Sequence, residues 1–167
     1  MADGTGLTVG AYEPADLETL HRINEAAVPF VNSLTRDELS ELIATSPITL
    51  VVREEGQPLG FVLTLLDGLD YDSLNYAWVS SRYPAFSYVD RVAIDEAARG
   101  RGLGRMLYDA LFPKLGDVRD KLLLEVNLEP PNPASHAFHA AMGFERVGER
   151  WSEDRAKGVA YYCRPLS

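Results

Sequence analysis

The chain has 167 residues, 46% of them apolar, and its 25 acidic and 16 basic side chains give a formal charge of −9. This length and apolar content are typical of one globular domain with a substantial core, and they argue against a disordered chain, a collagen-like chain or a small disulfide-stabilised knot. The low isoelectric point, near 4.8, opposes broad binding to a nucleic-acid backbone, because such affinity comes mainly from lysine and arginine. We therefore expect one domain over residues 1–167 and no nucleic-acid partner.

The compartment is indicated by what the chain lacks. Its single cysteine, Cys163, cannot form a disulfide within the chain, and the first thirty residues have neither the basic start nor the apolar run of a secretory signal. The longest apolar stretches, such as residues 61–66, are far shorter than the roughly 20 residues that span a bilayer. We expect a cytoplasmic protein with no membrane segment and no metal centre, in which Cys163 is a small core residue.

Hydrophobic periodicity predicts the elements of the first half of the chain. They are a strand at 7–11, a helix opened by residues 14–16 and stopped by Pro29, a second helix capped by Thr35 and ended by Ser46-Pro47, and two antiparallel strands at 48–53 and 59–66 around a turn at 54–58.

Residues 67–82 combine turn formers and acids with three large rings, Tyr71, Tyr76 and Trp78. A solvated loop does not need so many aromatic side chains, and we interpret the segment as a loop on the substrate side. The alternative, which stays open at this point, is that the rings close the end of the core, since large aromatics usually bury themselves.

The second half alternates strands and helices. The expected elements are a strand at 87–94, a helix whose apolar stripe runs from Leu103 to Leu115 and which Gly116 closes, a strand at 122–126, a short helix at 133–142, and strands at 144–151 and 159–164. Because the first half holds a hairpin and the second half alternates, we expect an α/β fold with a mixed sheet and helices on both faces.

A glycine- and arginine-rich turn precedes the helix at Leu103. In Arg99-Gly100-Arg101-Gly102-Leu103-Gly104 the glycines allow positive φ and close approach to the backbone, while the following helix start favours negative charge. Arginines within a stretch from Ala97 to Tyr108 that holds no acid add positive charge. We expect a phosphate site here, although a tight corner without a ligand would give the same pattern. The spacing matches neither a P-loop nor a dinucleotide-binding fingerprint.

Two segments together resemble the GNAT family of acyl-CoA-dependent N-acetyltransferases. The first is this Arg-x-x-Gly-x-Gly turn, preceded by Val92-Ala93-Ile94-Asp95. The second, at the expected distance downstream, is Asn132-Pro133-Ala134-Ser135-His136-Ala137-Phe138-His139-Ala140-Ala141-Met142-Gly143-Phe144. The resemblance covers residues 88–149 in detail. It implies a mostly antiparallel central sheet of about six to seven strands, with a central pair splayed by a β-bulge so that the cofactor enters between them.

The resemblance also implies acetyl-CoA as the cofactor and assigns residues to it. Val92 and Ile94 would offer main-chain hydrogen bonds to pantetheine, the turn would hold the pyrophosphate, and Asn132 and Ser135 would contact the other arm of coenzyme A. The cofactor-binding residues expected in this way are Val92, Ala93, Ile94, Arg99, Gly100, Arg101, Gly102, Leu103, Gly104, Arg105, Asn132, Ser135 and Phe138.

Acetyl transfer to an amine needs a base, because an alkylamine with a pKa near 10.4 is only about one part in 2,500 deprotonated at pH 7. Strand alternation places Asp90 on the face of its strand that also carries Tyr88 and Val92, and Glu125 on the corresponding face of the next strand. Glu125 interrupts an apolar run, so its charge is costly unless it is used, hydrogen-bonded or protonated. We favour Glu125 slightly as the base, with Asp90 as its competitor. For each, an ion pair with an arginine such as Arg91 is the structural alternative.

The acid that protonates the departing thiolate is less clearly marked. His139 stands where many members of the family have a tyrosine, and relatives of the phosphinothricin acetyltransferase type have histidine at this place. A neutral imidazole could serve as acid or relay, but a packed helix histidine is the alternative. His136 and His21 are interpreted as surface histidines on their helices.

The acceptor is expected to be a small-molecule amine or amino acid, and we expect direct attack in a ternary complex rather than transfer through Cys163. A catalytically degenerate acyl-CoA-binding or regulatory module, and an enzyme acting on protein amino termini or lysines, remain alternatives, as does a homodimer face at Trp151 and the terminal strands. The candidate substrate-binding residues are Asn24, Asn32, Tyr76, Trp78, Tyr83, Phe86, Tyr88 and Asn127.

Overall fold

A computed structural model describes residues 6–166, and within this range it contains five α-helices and seven β-strands. The helices are α1 (Leu17–Ala26), α2 (Arg36–Thr45), α3 (Leu74–Ser80), α4 (Leu103–Gly116) and α5 (Pro133–Ala141). The strands are β1 (Leu7–Ala11), β2 (Thr49–Glu54), β3 (Gln57–Leu66), β4 (Ser87–Ile94), β5 (Lys121–Glu129), β6 (Glu145–Trp151) and β7 (Gly158–Pro165).

The strands form one sheet in the order β1-β2-β3-β4-β5-β7-β6. The pairs β1 with β2, β2 with β3, β5 with β7 and β6 with β7 are antiparallel. Strands β4 and β5 run parallel and pair at Ser87 with Leu122 and at Tyr88 with Leu123. The mixed, mostly antiparallel α/β sheet that the sequence predicts is therefore confirmed.

The chain divides into two compact units, and β4 contributes to both. The first unit contains the residues up to Leu65 together with Val89–Lys114, and the second contains Leu66–Tyr88 and the residues from Leu115 onward.

In the first unit, helices and strands meet through the apolar stripes that the sequence predicts. Leu20 of α1, Leu39 of α2 and Leu107 of α4 are fully buried, with 0% exposed surface. Helix α2 begins as expected at a capping box, since the Thr35 hydroxyl accepts from the Glu38 backbone amide and the Glu38 carboxylate accepts from the Thr35 amide.

The hairpin turn in the first unit is shorter than predicted. Gln57 and Pro58 belong to β3, and only Glu55 and Gly56 lie between the strands, with φ of 48° and 84°. Two successive residues with positive φ are the geometry of a tight hairpin turn, whose twist matches the strands beside it. The prediction of a five-residue turn at 54–58 is therefore wrong, because Glu54 is the last residue of β2 and residues 57 and 58 are the first two of β3.

In the second unit, the segment 67–82 is not the loop that we expected. Residues Leu74–Ser80 form α3, and the Ser73 hydroxyl caps it by accepting from the Tyr76 amide at 3.1 Å. Tyr76 is 3% exposed, its hydroxyl donates to the Leu66 carbonyl, and its ring meets those of Phe86 and Tyr88 edge-on. For Tyr76 the alternative reading holds, because this ring closes part of the core.

The remaining boundaries differ from expectation by a few residues. Strand β5 continues past Val126 to Glu129, and β7 begins at Gly158 and extends to Pro165. Across residues 6–166, none of the helices combines the length and the apolar character needed to cross a membrane.

Candidate active site

The arginine- and glycine-rich turn lies in the first unit and has the backbone shape expected of an anion site. Gly100 and Gly102 have φ of 80° and 76°, values that residues other than glycine rarely adopt. A Cβ atom built at either glycine would meet no heavy atom of the described chain within 4 Å. The turn therefore presents open backbone directly before α4 begins at Leu103.

The charges around this turn are more balanced than the sequence stretch alone suggests. Arg101 forms an ion pair with Glu54 at the end of β2, which raises the pKa of the guanidinium and lowers that of the carboxyl. The Arg105 Nε lies 3.9 Å from an Asp109 oxygen. Both ion pairs are exposed to solvent, and such pairs contribute little stability. An incoming phosphate could thus replace them at low cost, while Arg99 stands exposed at the start of the turn.

The other residues assigned to the cofactor by resemblance are placed in both units. Val92 and Ile94 are half-buried on β4 of the first unit and alternate with the buried Ala93. In the second unit, Asn132 directly precedes α5 and Ser135 lies in its first turn. The Ser135 hydroxyl contacts the His139 Nδ1 at 3.2 Å. Their role toward coenzyme A stays a prediction.

Asp90, one of the two candidate bases, is held in an ion pair. Its Oδ2 accepts from the Arg91 Nε at 2.8 Å, and the two side chains are 5% and 2% exposed. The same guanidinium donates to the Asn24 Oδ1 at 2.9 Å and to the Asn32 Oδ1 at 2.6 Å. We call these four side chains the Arg91 cluster. The structural alternative stated for Asp90 is the one that the structure shows.

The Arg91 cluster also changes the interpretation of the two asparagines. Asn24 is fully buried in α1, with 0% exposure, which leaves no surface for an acceptor substrate. Asn32 is exposed, but both its side-chain oxygen and its carbonyl accept from Arg91. Together they fasten α1 and the segment after it to β4. Their polar groups are engaged by the guanidinium, which gives both residues a structural role, and their assignment to the substrate stays a prediction.

Glu125, the other candidate base, has neutral partners in the second unit. Its Oε2 accepts from the Tyr88 hydroxyl at 2.5 Å, and its Oε1 accepts from the Asn75 Nδ2 at 3.1 Å. The side chain is half-buried on β5. Hydrogen bonds donated to a carboxylate stabilise its charged form. The Tyr88 hydroxyl and the Asn75 amide therefore orient the carboxylate.

Asn75 connects Glu125 to two further side chains. Its Oδ1 accepts from the Arg150 Nη2 at 2.9 Å and from the Tyr161 hydroxyl at 2.9 Å. The Arg150 Nε in turn donates to the Tyr161 hydroxyl at 3.2 Å. We call Asn75, Tyr88, Glu125, Arg150 and Tyr161 the Glu125 cluster. Burial raises the pKa of Tyr161, although Arg150 opposes this shift, so the phenol stays protonated at neutral pH.

Aromatic stacking borders the Glu125 cluster. The Trp78 ring lies parallel to that of Tyr161, with centroids 3.9 Å apart and an angle of 4° between planes. The Arg82 guanidinium carbon sits 3.9 Å from the Trp78 ring centroid. A Cβ atom at Gly148 would come within 2.5 Å of Trp78, so only glycine fits beside the indole. Trp78 thus borders the Glu125 cluster together with Arg82, which the sequence analysis does not name, and its role toward an acceptor stays a prediction.

His139, the candidate acid, is a buried residue of α5. It is 3% exposed on α5, and burial lowers its pKa to about 4, so the imidazole is neutral at pH 7. Its Nδ1 contacts the Ser135 carbonyl at 2.8 Å. A carbonyl oxygen only accepts hydrogen bonds, so Nδ1 carries the proton of the neutral imidazole and Nε2 is unprotonated. In this tautomer Nε2 accepts protons rather than donating them, which disfavours His139 as the thiolate acid.

Two other expectations about polar residues need correction. His136 is not simply a surface histidine, because its Nε2 contacts the Asn127 carbonyl at 2.8 Å and its Nδ1 the Tyr162 hydroxyl at 2.7 Å. Cys163 is only half-buried, rather than a core residue. Burial nevertheless raises the pKa of its thiol, which lowers the thiolate fraction at pH 7.

The remaining acceptor candidates lie in different surroundings. Phe86 has 0% exposure and is part of the core, and its role toward an acceptor stays a prediction. Tyr83 lines a cavity of about 370 Å³ in the second unit. The full lining is Asp67, Gly68, Leu69, Ser80, Tyr83, Pro84 and Phe86. Within residues 6–166, no group of three or more histidine, cysteine or acidic side chains is arranged to hold a metal ion.

Three members of the Glu125 cluster escaped the sequence analysis, namely Asn75, Arg150 and Tyr161. Asn75 lies in a segment interpreted as a loop, and Arg150 and Tyr161 lie on strands that looked ordinary. A signal was present for Tyr161, because it alternates with the buried Ala160 next to a strand that carries Glu125. Its antiparallel pairing with β5, which sets Tyr161 directly opposite Glu125, required the structure.

Comparison with known proteins places this architecture in a family. The sequence profile of the acetyltransferase (GNAT) family matches residues 17–144. The chain therefore belongs to the GNAT acetyltransferase family, as its two motifs indicated.

Individual relatives show how far the likeness extends. A phosphinothricin N-acetyltransferase of Streptomyces coelicolor is 37% identical over 109 residues, which cover 60% of this chain and 63% of that protein. An L-2,4-diaminobutyric acid acetyltransferase of Chromohalobacter salexigens is 34% identical over 100 residues, 59% of this chain and 41% of that protein. The chain thus matches less than two thirds of the length of these curated relatives.

Likeness to solved structures extends over nearly the whole chain. The structure of Arabidopsis thaliana NAA60 in complex with acetyl-CoA has a TM-score of 0.74, covering 95% of this chain and 99% of that one. The sequence identity is only 16%, so this comparison supports the fold alone.

Proposed function

We propose that the protein is an N-acetyltransferase that moves an acetyl group from acetyl-CoA to the primary amine of a small molecule or amino acid by direct attack in a ternary complex. The observation that carries this proposal is the Glu125 cluster, in which hydrogen bonds from Tyr88 and Asn75 orient the Glu125 carboxylate on a strand next to β4. The names of the two relatives, acetyltransferases of phosphinothricin and of diaminobutyric acid, support an amino-acid acceptor.

The residues of the turn at 99–105 fit the pyrophosphate of coenzyme A. Gly100 and Gly102 leave open space above their backbone, and two exposed arginines flank it. Anions bind well at such a turn, where backbone N–H groups and the start of a helix coincide. Acetyl-CoA supplies an acetyl group activated as a thioester. Arg99 and the turn would bind and orient it through the diphosphate.

Glu125 would accept the proton that the acceptor ammonium loses, either directly or through one water molecule. The neutral nitrogen would then form a C–N bond to the acetyl carbon while the C–S bond breaks with its electron pair on sulfur, and the second proton of the nitrogen would pass to the thiolate, which leaves as the free thiol. Tyr88 and Asn75 keep both carboxylate oxygens directed, since each oxygen receives one hydrogen bond. A base positioned in this way typically contributes roughly 10²–10⁴-fold to the rate.

The closest competitor from another class is an acyl-CoA-binding module without turnover. The observation favouring it is the state of His139, which stands at the family's tyrosine position but carries its proton on the nitrogen turned to Ser135. Such a protein would bind coenzyme A and release no thiol with any amine.

The test is calorimetric titration with acetyl-CoA, followed in the same sample by release of free thiol against amines, amino acids and peptides. We expect binding and amine-dependent release, with amino acids among the best acceptors. Arg99→Ala should weaken binding about tenfold, because one charge-assisted hydrogen bond is lost. Arg36→Ala, which removes an exposed arginine from α2 of the same unit, is the matched control. Binding without release would favour the module, and absence of binding would overturn the cofactor assignment.

A further inference from the structure

Asn75 of α3 makes hydrogen bonds that give this side chain a role of its own. We infer that Asn75 is a positioning residue, whose amide fixes the orientation of the Glu125 carboxylate and holds it in the proton-accepting state. The inference rests on the proposed function, in which Glu125 accepts the proton of the amine. It concerns a residue to which neither the family nor the relatives' names assign a role.

The orientation of the Asn75 amide follows from the chemistry of its partners. A guanidinium has donors only. The Asn75 atom 2.9 Å from the Arg150 Nη2 must therefore be the acceptor Oδ1. The Tyr161 hydroxyl donates to the same oxygen at 2.9 Å. Arg150 and Tyr161 thus leave Asn75 only one orientation, with its NH₂ group directed away from them.

The NH₂ group is directed at Glu125. The Nδ2 lies 3.1 Å from the Glu125 Oε1, and an amide nitrogen donates but does not accept. Oε1 is therefore the acceptor of this bond, and it accepts more strongly when the carboxyl is ionised. The Tyr88 hydroxyl donates to the other oxygen, Oε2. The Asn75 amide thus links the Arg150 guanidinium to the Glu125 carboxylate, and its dipole transmits part of that positive charge.

The position of Asn75 is itself fixed by packing. Trp78, one turn further along α3, stacks on the ring of Tyr161, which is the Cα partner of Glu125 across β5 and β7. Gly148 leaves space for the indole. The charged and titratable groups around Glu125 in these elements include Tyr88 of β4, Tyr161 of β7 and Arg150 of β6, and Arg82 after α3 acts electrostatically on Tyr161.

The decisive variant is Asn75→Asp, which keeps the shape and both acceptor bonds but sets a second carboxylate against Glu125. Two adjacent carboxylates resist ionising together. We expect the acidic limb of the kcat/KM pH profile to move to higher pH by about one unit or more, with activity recovering at high pH. Ala77→Asp adds the same charge on the exposed face of α3 and should leave the limb in place.

A second variant covers the case in which Asn75→Asp is poorly folded. Asn75→Ala removes the bond to the carboxylate and should lower kcat about tenfold or more with little change in KM, because a hydrogen bond to a charged group is lost. Titration of the Glu125 side-chain carbon by NMR in the absence of substrate provides a readout independent of turnover. Its midpoint should move to higher pH in both variants.

The two hypotheses fail in different ways. If Glu125→Gln keeps the acidic limb and near-normal turnover, Glu125 is not the base and the proposed function loses its central residue. If Glu125→Gln removes the limb while Asn75→Asp and Asn75→Ala leave both the limb and the NMR midpoint unchanged, then Glu125 is the base and Asn75 does not position it.

Discussion

The two candidate carboxylates, Asp90 of β4 and Glu125 of β5, are held by opposite means. Asp90 is buried and neutralised by the Arg91 guanidinium, which two asparagines complete. Glu125 is half-buried and receives a phenol and an amide, while the nearest cation of its cluster, Arg150, is one residue removed. Arg91 holds the Asp90 carboxylate in a buried ion pair, whereas hydrogen bonds from Tyr88 and Asn75 orient the Glu125 carboxylate. The difference teaches that the first cluster is structural and the second is suited to proton transfer.

Turnover should separate the two carboxylates most strongly. Glu125→Gln should lower kcat roughly 10²–10⁴-fold, because the amide cannot accept the proton. Asp90→Asn should keep kcat within a few fold in the folded fraction, since its partner is structural. The measurement is steady-state thiol release by both variants at saturating acetyl-CoA. Equal losses in the two variants would erase the distinction.

Stability should show the reverse order. Arg91→Met removes the cation from a buried pair and leaves Asp90 uncompensated, which typically costs about 3–5 kcal/mol of unfolding free energy. The control is Arg22→Met, which removes an exposed partner of Asp95 and should cost under about 1 kcal/mol. Denaturant titration of both proteins measures the difference. A loss for Arg91→Met as small as that for Arg22→Met would show that the Arg91 cluster does not stabilise the fold.

His139 extends the comparison to a third buried polar group through pH. Its pKa falls from about 6.5 in the unfolded chain to about 4 in the fold, so below pH 6.5 the unfolded state binds more protons. The stability that it contributes is complete above pH 6.5 and is lost as the pH falls toward 4. Between pH 8 and pH 5 the wild type should lose about 2 kcal/mol more than His139→Phe.

The experiment for His139 is denaturant titration at both pH values for the wild type and the variant. Other groups titrate alike in the two proteins, so their difference isolates the imidazole. Identical pH dependence would mean that His139 protonates in the fold as readily as in the unfolded chain.

The smallest effect is expected at Cys163. Direct attack does not pass through a thiol, and burial keeps this thiol protonated. Cys163→Ala should therefore retain full turnover, measured as thiol release with the best acceptor. A large loss would point to an acyl-cysteine intermediate and would remove the need for Glu125 to act on the attacking amine.

The fold and the backbone shape of the turn at 99–105 were predictable from sequence because both depend on local signals. Apolar periodicity marked α1 and α4, and the glycines of the turn marked a backbone that only glycine readily adopts. Helix α3 was missed because seven residues give too short a period, and because Asp67, Asp70 and Asp72 before it resemble a loop.

The site side chains were less predictable, because their partners lie far apart along the chain. Arg91 could be linked to Asp90 from sequence, but its bonds to Asn24 and Asn32 depend on how α1 packs against β4. Asn75 and Arg150 are 75 residues apart, and their contact depends on the pairing of β6 with β7 and the docking of α3. Neither the register of β6 and β7 nor the docking of α3 can be predicted from the local composition of the chain.

The stack of Trp78 on Tyr161 gives the molecule a built-in optical probe. Trp78, one of the two tryptophans in the chain, stacks on the Tyr161 phenol of the Glu125 cluster and lies against the Arg82 guanidinium. Indole emission responds to such neighbours, so displacement of α3 by an entering acceptor would change the fluorescence of Trp78. With Trp151→Phe removing the second emitter, acceptor binding becomes measurable in real time without label, cofactor turnover or coupled assay.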